Sequence, residues 1–84
     1  MKEGTCFLCW RYGKLDKHHL IPGTANRKNS EKYKLYEFVC RECHRKIHDD
    51  PDLMLFMKCH GQLLFETESG TREDFIKIFG KSYL

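Results

Sequence analysis

Nine consecutive residues, Cys40-Arg41-Glu42-Cys43-His44-Arg45-Lys46-Ile47-His48, carry four soft or borderline metal ligands. A second pair, Cys6-Phe7-Leu8-Cys9, lies upstream, and the doublet His18-His19 lies between them. A tetrahedral structural zinc is complete with four ligands, and four thiolates suffice. Cys6, Cys9, Cys40 and Cys43 therefore form one closed candidate site, and the histidines are surplus to it. Surplus imidazoles near a closed zinc site point to a second, open metal site at which chemistry takes place.

Each C-x-x-C pair can offer two thiolates to one ion without strain, with Zn–S near ~2.3 Å. Ordinary buried cysteines are the plain alternative. Binding energy at such a site becomes folding energy, on the order of 10 kcal/mol, and here it would pin an N-terminal knuckle to the start of a helix. Cys59 stands apart and reads as a small buried hydrophobe, and His60 as a surface or satisfied core residue.

His18, His44 and His48 could form a three-nitrogen site with open positions, the pattern of catalytic metals. On a strand, His18 and His19 would point to opposite faces. If the chain kinks there, both reach one cleft, and the one that binds no metal is free as a base near pKa ~6.5. The chemistry that uses this set is hydrolysis of a phosphodiester. Two plainer readings stay open on spacing alone. His44 and His48 could be a solvated helix face, or His44 could replace a cysteine in the closed site.

The combination His18-His19-Leu20-Ile21-Pro22 with Cys40-x2-Cys43-His44-x3-His48 resembles the HNH endonucleases of the ββα-metal type. It looks most like the small zinc-stapled members common in bacteriophages and prophages. The resemblance is close from Cys6 to His48 and looser over the tail from Phe75 to Leu84. It implies that His18, His44 and His48 hold the catalytic metal, that His19 is the general base, and that the four cysteines hold structural zinc. It also implies metal-dependent cutting of DNA with little sequence preference, with magnesium, manganese, nickel or zinc at the catalytic site. The family's middle asparagine, which orients the base, has no counterpart in Tyr33–Val39. Asn26 or Asn29, or a backbone carbonyl, is left for that role, and Asn26 is the candidate carried forward. Arg27, Lys28 and Lys32 would contact phosphates without reading sequence.

These residues need elements to hold them. Residues 5–13 read as a knuckle ending at Gly13, and Leu15–Ile21 as a short strand stopped by Pro22-Gly23. Residues 24–32 are polar with no apolar period and read as a loop. Tyr33–Val39 reads as a second strand. A helix from Arg41 or Glu42 to about His48 sets His44 and His48 one turn apart, with Cβ atoms roughly 5–6 Å from each other. Asp50 is a natural N-cap and Pro51 a natural first-turn residue for the next helix. That helix, residues 52–65, shows Leu53, Phe56, Met57, His60 and Leu64 at helical spacing. Residues 66–70 read as a loop. Thr71 with Asp74 marks a near capping box for a last helix bearing Phe75, Ile76, Ile78 and Phe79, and Gly80 is its stop. The expectation is an α+β fold: a zinc-stapled, treble-clef-like ββα-metal core over residues 6–48, extended by two C-terminal helices over residues 49–84, in one domain.

Eighty-four residues bury a modest core, for which a metal staple is a common remedy. The odd count of five cysteines, the C-x-x-C spacing and the lack of a signal-like apolar run favour reduced thiols in the cytoplasm over a disulfide scaffold. No apolar run is long enough to span a bilayer. The net charge is +3, yet Arg11, Lys14, Lys17, Arg27, Lys28, Lys32 and Lys34 crowd around the histidine doublet with only Asp16 and Glu31 among them. Such a field suits a polyanion, DNA in particular, although a solvated lysine-rich loop has the same composition. Two rival readings keep the same fold. One is a zinc module that binds nucleic acid or protein without cutting. The other is an interaction subunit for phage-type replication, recombination or packaging proteins.

Overall fold

The computed structural model describes residues 2–84. Strands β1 (Lys2–Thr5), β2 (Tyr12–His19) and β3 (Tyr36–Val39) form an antiparallel sheet in the order β1-β2-β3. Helix α1 (Thr24–Lys32) sits between β2 and β3, α2 (Arg41–Asp49) follows β3, and α3 (Pro51–Glu68) and α4 (Arg72–Phe79) close the chain. The expected α+β class and the two C-terminal helices are present. Strand β1 lies where no strand was expected.

The segment 24–32, read from sequence as a loop, is helix α1. Apolar periodicity was the wrong guide there, because this helix buries almost nothing. Its buried residue is Ser30, whose hydroxyl donates to the carbonyl of Ile21 at 3.3 Å. Ala25, Arg27, Lys28, Glu31 and Lys32 are strong helix formers, and a nine-residue surface helix tethered at both ends needs little more. Lys34, in the left-handed region at φ 58°, then turns the chain into β3, which starts at Tyr36 rather than Tyr33.

The remaining ends follow local chemistry. Asp50 caps α3, its Oδ1 accepting from the amides of Asp52 and Leu53 at 2.9 and 3.4 Å, with Pro51 as the first helical residue. Thr71 and Asp74 form a reciprocal capping box on α4, and Gly80 ends that helix at φ 99°. Helix α3 runs on to Glu68, through part of the expected loop.

Two apolar clusters make the core. One joins the knuckle, sheet and α2 through Cys6, Leu15, Leu20, Val39, Cys43, Ile47 and Met57. The other joins the C-terminal helices to the ends of the strands through Ile21, Leu35, Phe65, Phe75 and Phe79. The inward face of α3 differs from the sequence expectation. Met57, Gly61, Gln62 and Phe65 are buried, whereas Phe56 is 54% exposed. Gly61 explains the rotation. It lets α3 approach the turn after β2 so closely that a Cβ there would lie 2.7 Å from Leu20 Cβ. Gln62, fully buried, ties down the tail: its side-chain carbonyl accepts from the Tyr83 amide at 2.6 Å and its amide donates to Ser82 and Glu66 at 2.9 Å each. Cys59, half-buried rather than buried, donates to the Tyr83 carbonyl at 3.2 Å. No helix among the described residues is long and apolar enough to cross a membrane.

Gly61→Ala should therefore force the helix off the strand turn, with a cost of about 1–3 kcal/mol from overpacking. Chemical denaturation of the two proteins reads this directly, and equal midpoints would refute the close approach.

Candidate functional site

The knuckle is built by backbone bonds that leave sulfur facing inward. The Cys6 amide donates to the Arg11 carbonyl at 2.9 Å and the Trp10 amide to the Cys6 carbonyl at 3.0 Å. Trp10 takes φ 66°, an uncommon conformation for a bulky residue, to close this loop. The second pair sits at a helix N-terminus. Cys40 is the N-cap of α2, its sulfur accepting from the Cys43 amide at 3.4 Å. Cys6 sulfur accepts from the amides of Cys9 and Cys40 at 3.5 and 3.3 Å.

The four sulfurs lie within 4.8 Å of one another, and Cys9 and Cys40 are 3.8 Å apart. A tetrahedron with ligands at ~2.3 Å has edges of about 3.8 Å, so the cluster has the donor set and spacing of a structural zinc site. The four thiols sit in different electrostatic settings. The Arg11 guanidinium, then its amide, draws Cys9 down to about 6. Burial and the neighbouring sulfurs push Cys43 well above its usual value. Burial also opposes the Cys6 thiolate, but the amides of Cys9, Cys40 and Leu8 together outweigh it and hold that thiol low. A dication makes four thiolates compatible at once.

Further along β2, a separate cluster forms. Ligand atoms of His18, His44 and His48 also lie within 4.8 Å of one another. Ring centroids are 5.4 Å apart for His18 and His44, 5.8 Å for His18 and His48, and 5.1 Å for His44 and His48. Helix periodicity places the α2 pair: Cys43 and Ile47 go inward, and His44 and His48 form the adjacent stripe. Strand periodicity places His18 opposite Glu37 of β3 and on the same face as Asp16. His18 is 3% exposed, and its Nε2 is a buried side-chain polar atom without a hydrogen-bond partner among the described residues. Burial, then the charges of His44, His48 and His19, hold its pKa down at about 4. The ring is thus neutral at neutral pH, with a nitrogen available to a ligand. A buried polar atom without a partner is costly, and a cation between three imidazoles removes that cost. The donor set fits one.

Sequence reasoning passed over Asp16. Its Oδ2 lies 3.2 Å from His44 Nδ1, an arrangement that orients the ring and leaves Nε2 for a ligand. Its position two residues before His18 on one strand was the available signal. Arg41 approaches the same carboxylate at 3.8 Å.

The imidazole trio lines a cleft of about 300 Å³ together with Lys17, His19, Ile21, Pro22, Gly23 and Arg27. His18 and His19, adjacent at the end of β2, thus both reach the cleft. His19 Nε2 lies 3.2 Å from Glu31 Oε1 on α1, and Lys17 Nζ lies 2.9 Å from the same oxygen. Lys17, then His19, holds the Glu31 carboxyl below its ordinary range. Asn26 is placed differently from the orienting role considered for it: its side-chain amide donates to the Pro22 carbonyl at 3.1 Å, closing the turn into α1. Of the three cations expected on phosphate, Arg27 lines the cleft, while Lys28 is exposed on α1 and Lys32 lies over the Tyr33 ring at 5.4 Å. His60 stays apart, paired with Glu37 at 2.7 Å and stacked on Phe7.

Comparisons with protein-family models, with curated proteins and with solved structures find no match to this chain. What the site can do must be argued from its own chemistry.

Removing zinc with a strong chelator, or replacing Cys43 by Ser, should cost folding free energy on the order of 10 kcal/mol and unfold the chain. Circular dichroism with metal analysis tests this. A chain that keeps its helices at zero metal content would contradict a structural role for the thiolates.

Proposed function

We propose that the protein is a metal-dependent endonuclease of the HNH, ββα-metal kind, cutting DNA phosphodiesters with little sequence preference. In this reading β2, β3 and α2 are the ββα unit, and the four cysteines hold a structural zinc. The observation that carries the proposal is the buried, partnerless Nε2 of His18, set beside His44 and His48 on a cleft that also contains a fourth imidazole.

The division of roles follows from exposure and position. His18, His44 and His48 would hold a divalent ion such as magnesium, manganese, nickel or zinc, with Asp16 fixing the His44 ring. Bound there, such an ion supplies Lewis-acid stabilisation of charge on a phosphate oxygen and on the leaving O3′. His19 lines the same cleft outside the trio, so its ring remains free to take a proton from water. Arg27 supplies positive charge in the cleft, and Lys28 and Lys32 extend it along the exposed side of α1. All three bind phosphate, which is common to every sequence.

Plasmid nicking with added magnesium or manganese tests the reading. Wild-type protein should convert supercoiled plasmid to open circles. His19→Ala should slow this by about 10²- to 10⁴-fold, the usual worth of a general base. His48→Ala, at an exposed ligand, should abolish nicking and leave the fold and DNA affinity intact. Absence of nicking in all three, with DNA retained in a gel shift, would favour a non-catalytic nucleic-acid-binding zinc module instead. Binding should also weaken steeply with salt, and Arg27→Ala should reduce the salt slope by about one. Salt-independent affinity would argue against contact through phosphates.

A further inference from the structure

We propose that Glu31 is the positioning residue for His19, holding the ring as its Nε2–H tautomer so that Nδ1 carries the lone pair that accepts the proton. The inference rests on the nuclease reading for its role in catalysis, and on the structure alone for the tautomer. Among the described residues, Glu31 is the one side chain hydrogen-bonded to His19. An ionised carboxylate has no proton to give, so the nitrogen that faces it must be the donor. Lys17 keeps the carboxylate ionised, with Nζ 2.9 Å from Oε1 and 3.3 Å from Oε2.

The arrangement is built from two periodicities. Lys17 and His19 are two apart on β2 and share a face, and both meet Glu31 on α1. Lys17 is itself fixed over the Tyr36 ring at 4.3 Å, and Tyr36 is the cross-strand partner of His19. The Asn26 side chain is occupied with Pro22. Helix α1 thus takes over, with a carboxylate, the orienting task for which β3 has no asparagine.

In the hydrolytic step, the water oxygen bonds to phosphorus as the P–O3′ bond breaks. The water proton passes to His19 Nδ1, and O3′ is protonated from solvent. The imidazolium so formed keeps its Nε2–H on Glu31, as the imidazolium of a serine-protease triad keeps its bond to aspartate.

The rival explanation is an exposed ion pair without catalytic consequence, and two measurements separate the cases. Nitrogen-15 spectra of the imidazoles in zinc-loaded protein, without DNA, report the tautomer of each ring. Wild type should show His19 protonated at Nε2, and Glu31→Ala should show a mixture of tautomers. Single-turnover nicking at saturating protein should fall about 100-fold in Glu31→Ala. It should fall less in Glu31→Gln, whose carbonyl can still accept from Nε2–H, and DNA affinity should be unchanged in both. Glu31 is exposed on α1, so thermal melting of the variants should match wild type. An unchanged tautomer in Glu31→Ala, or nicking at the wild-type rate, would overturn the proposal. If His19→Ala nicks normally, the nuclease mechanism fails, while the spectra still decide whether Glu31 sets the ring.

Discussion

The convergence of four cysteine sulfurs within 4.8 Å of one another, a donor set suited to one cation, is the constraint on which the rest of this structure depends. It joins the first ten residues of the chain to the start of α2, across a separation of 34 residues between Cys6 and Cys40. Beside it stand the β1–β2 ladder, the bond from the Phe7 amide to the Phe38 carbonyl and the exposed Arg11–Glu42 pair, while two of the seven members of the nearby apolar cluster are themselves cysteines. With it, the first turn of α2 is anchored at the end of β3, and the direction of that helix is set. The His44 and His48 side chains are then delivered to the end of β2 where His18 emerges.

The second constraint is the cost of an unpaired polar atom. The fold buries His18 beside the rings of His44 and His48 and leaves its Nε2 without a partner among the described residues, while Asp16 on the same strand face engages His44. A fold that only needed packing at this position would be better served by leucine. The imidazole stays neutral, held by burial and by its neighbours, which is the protonation state a metal ligand requires. The two candidate clusters are thus separated by chemistry: sulfur at the start of α2, nitrogen on the cleft toward its other end.

The C-terminal helices contribute support. Gly61 brings α3 against Leu20, directly after the histidine doublet, and Phe65, Phe75 and Phe79 pack on Ile21 and Leu35. They therefore hold both ends of the segment from which α1 projects. The buried Gln62 adds direction to this packing, since its three hydrogen bonds fix one position for the tail.

The sequence by itself determined the ligands and most of their carriers. Cysteine pairs at fixed spacing, histidines one helical turn apart, Asp50-Pro51 and Thr71–Asp74 act through local geometry, which neighbouring residues alone specify. Only the tertiary structure decided the rest. It turned a polar stretch without apolar period into α1, because a short surface helix is held by its tethered ends. It set the buried face of α3 by a glycine contact with a distant strand turn. It chose Glu31 over Asn26 as the neighbour of His19, because that choice depends on which helix face meets the end of β2. Such contacts join residues far apart in the chain, and no local pattern encodes their distance.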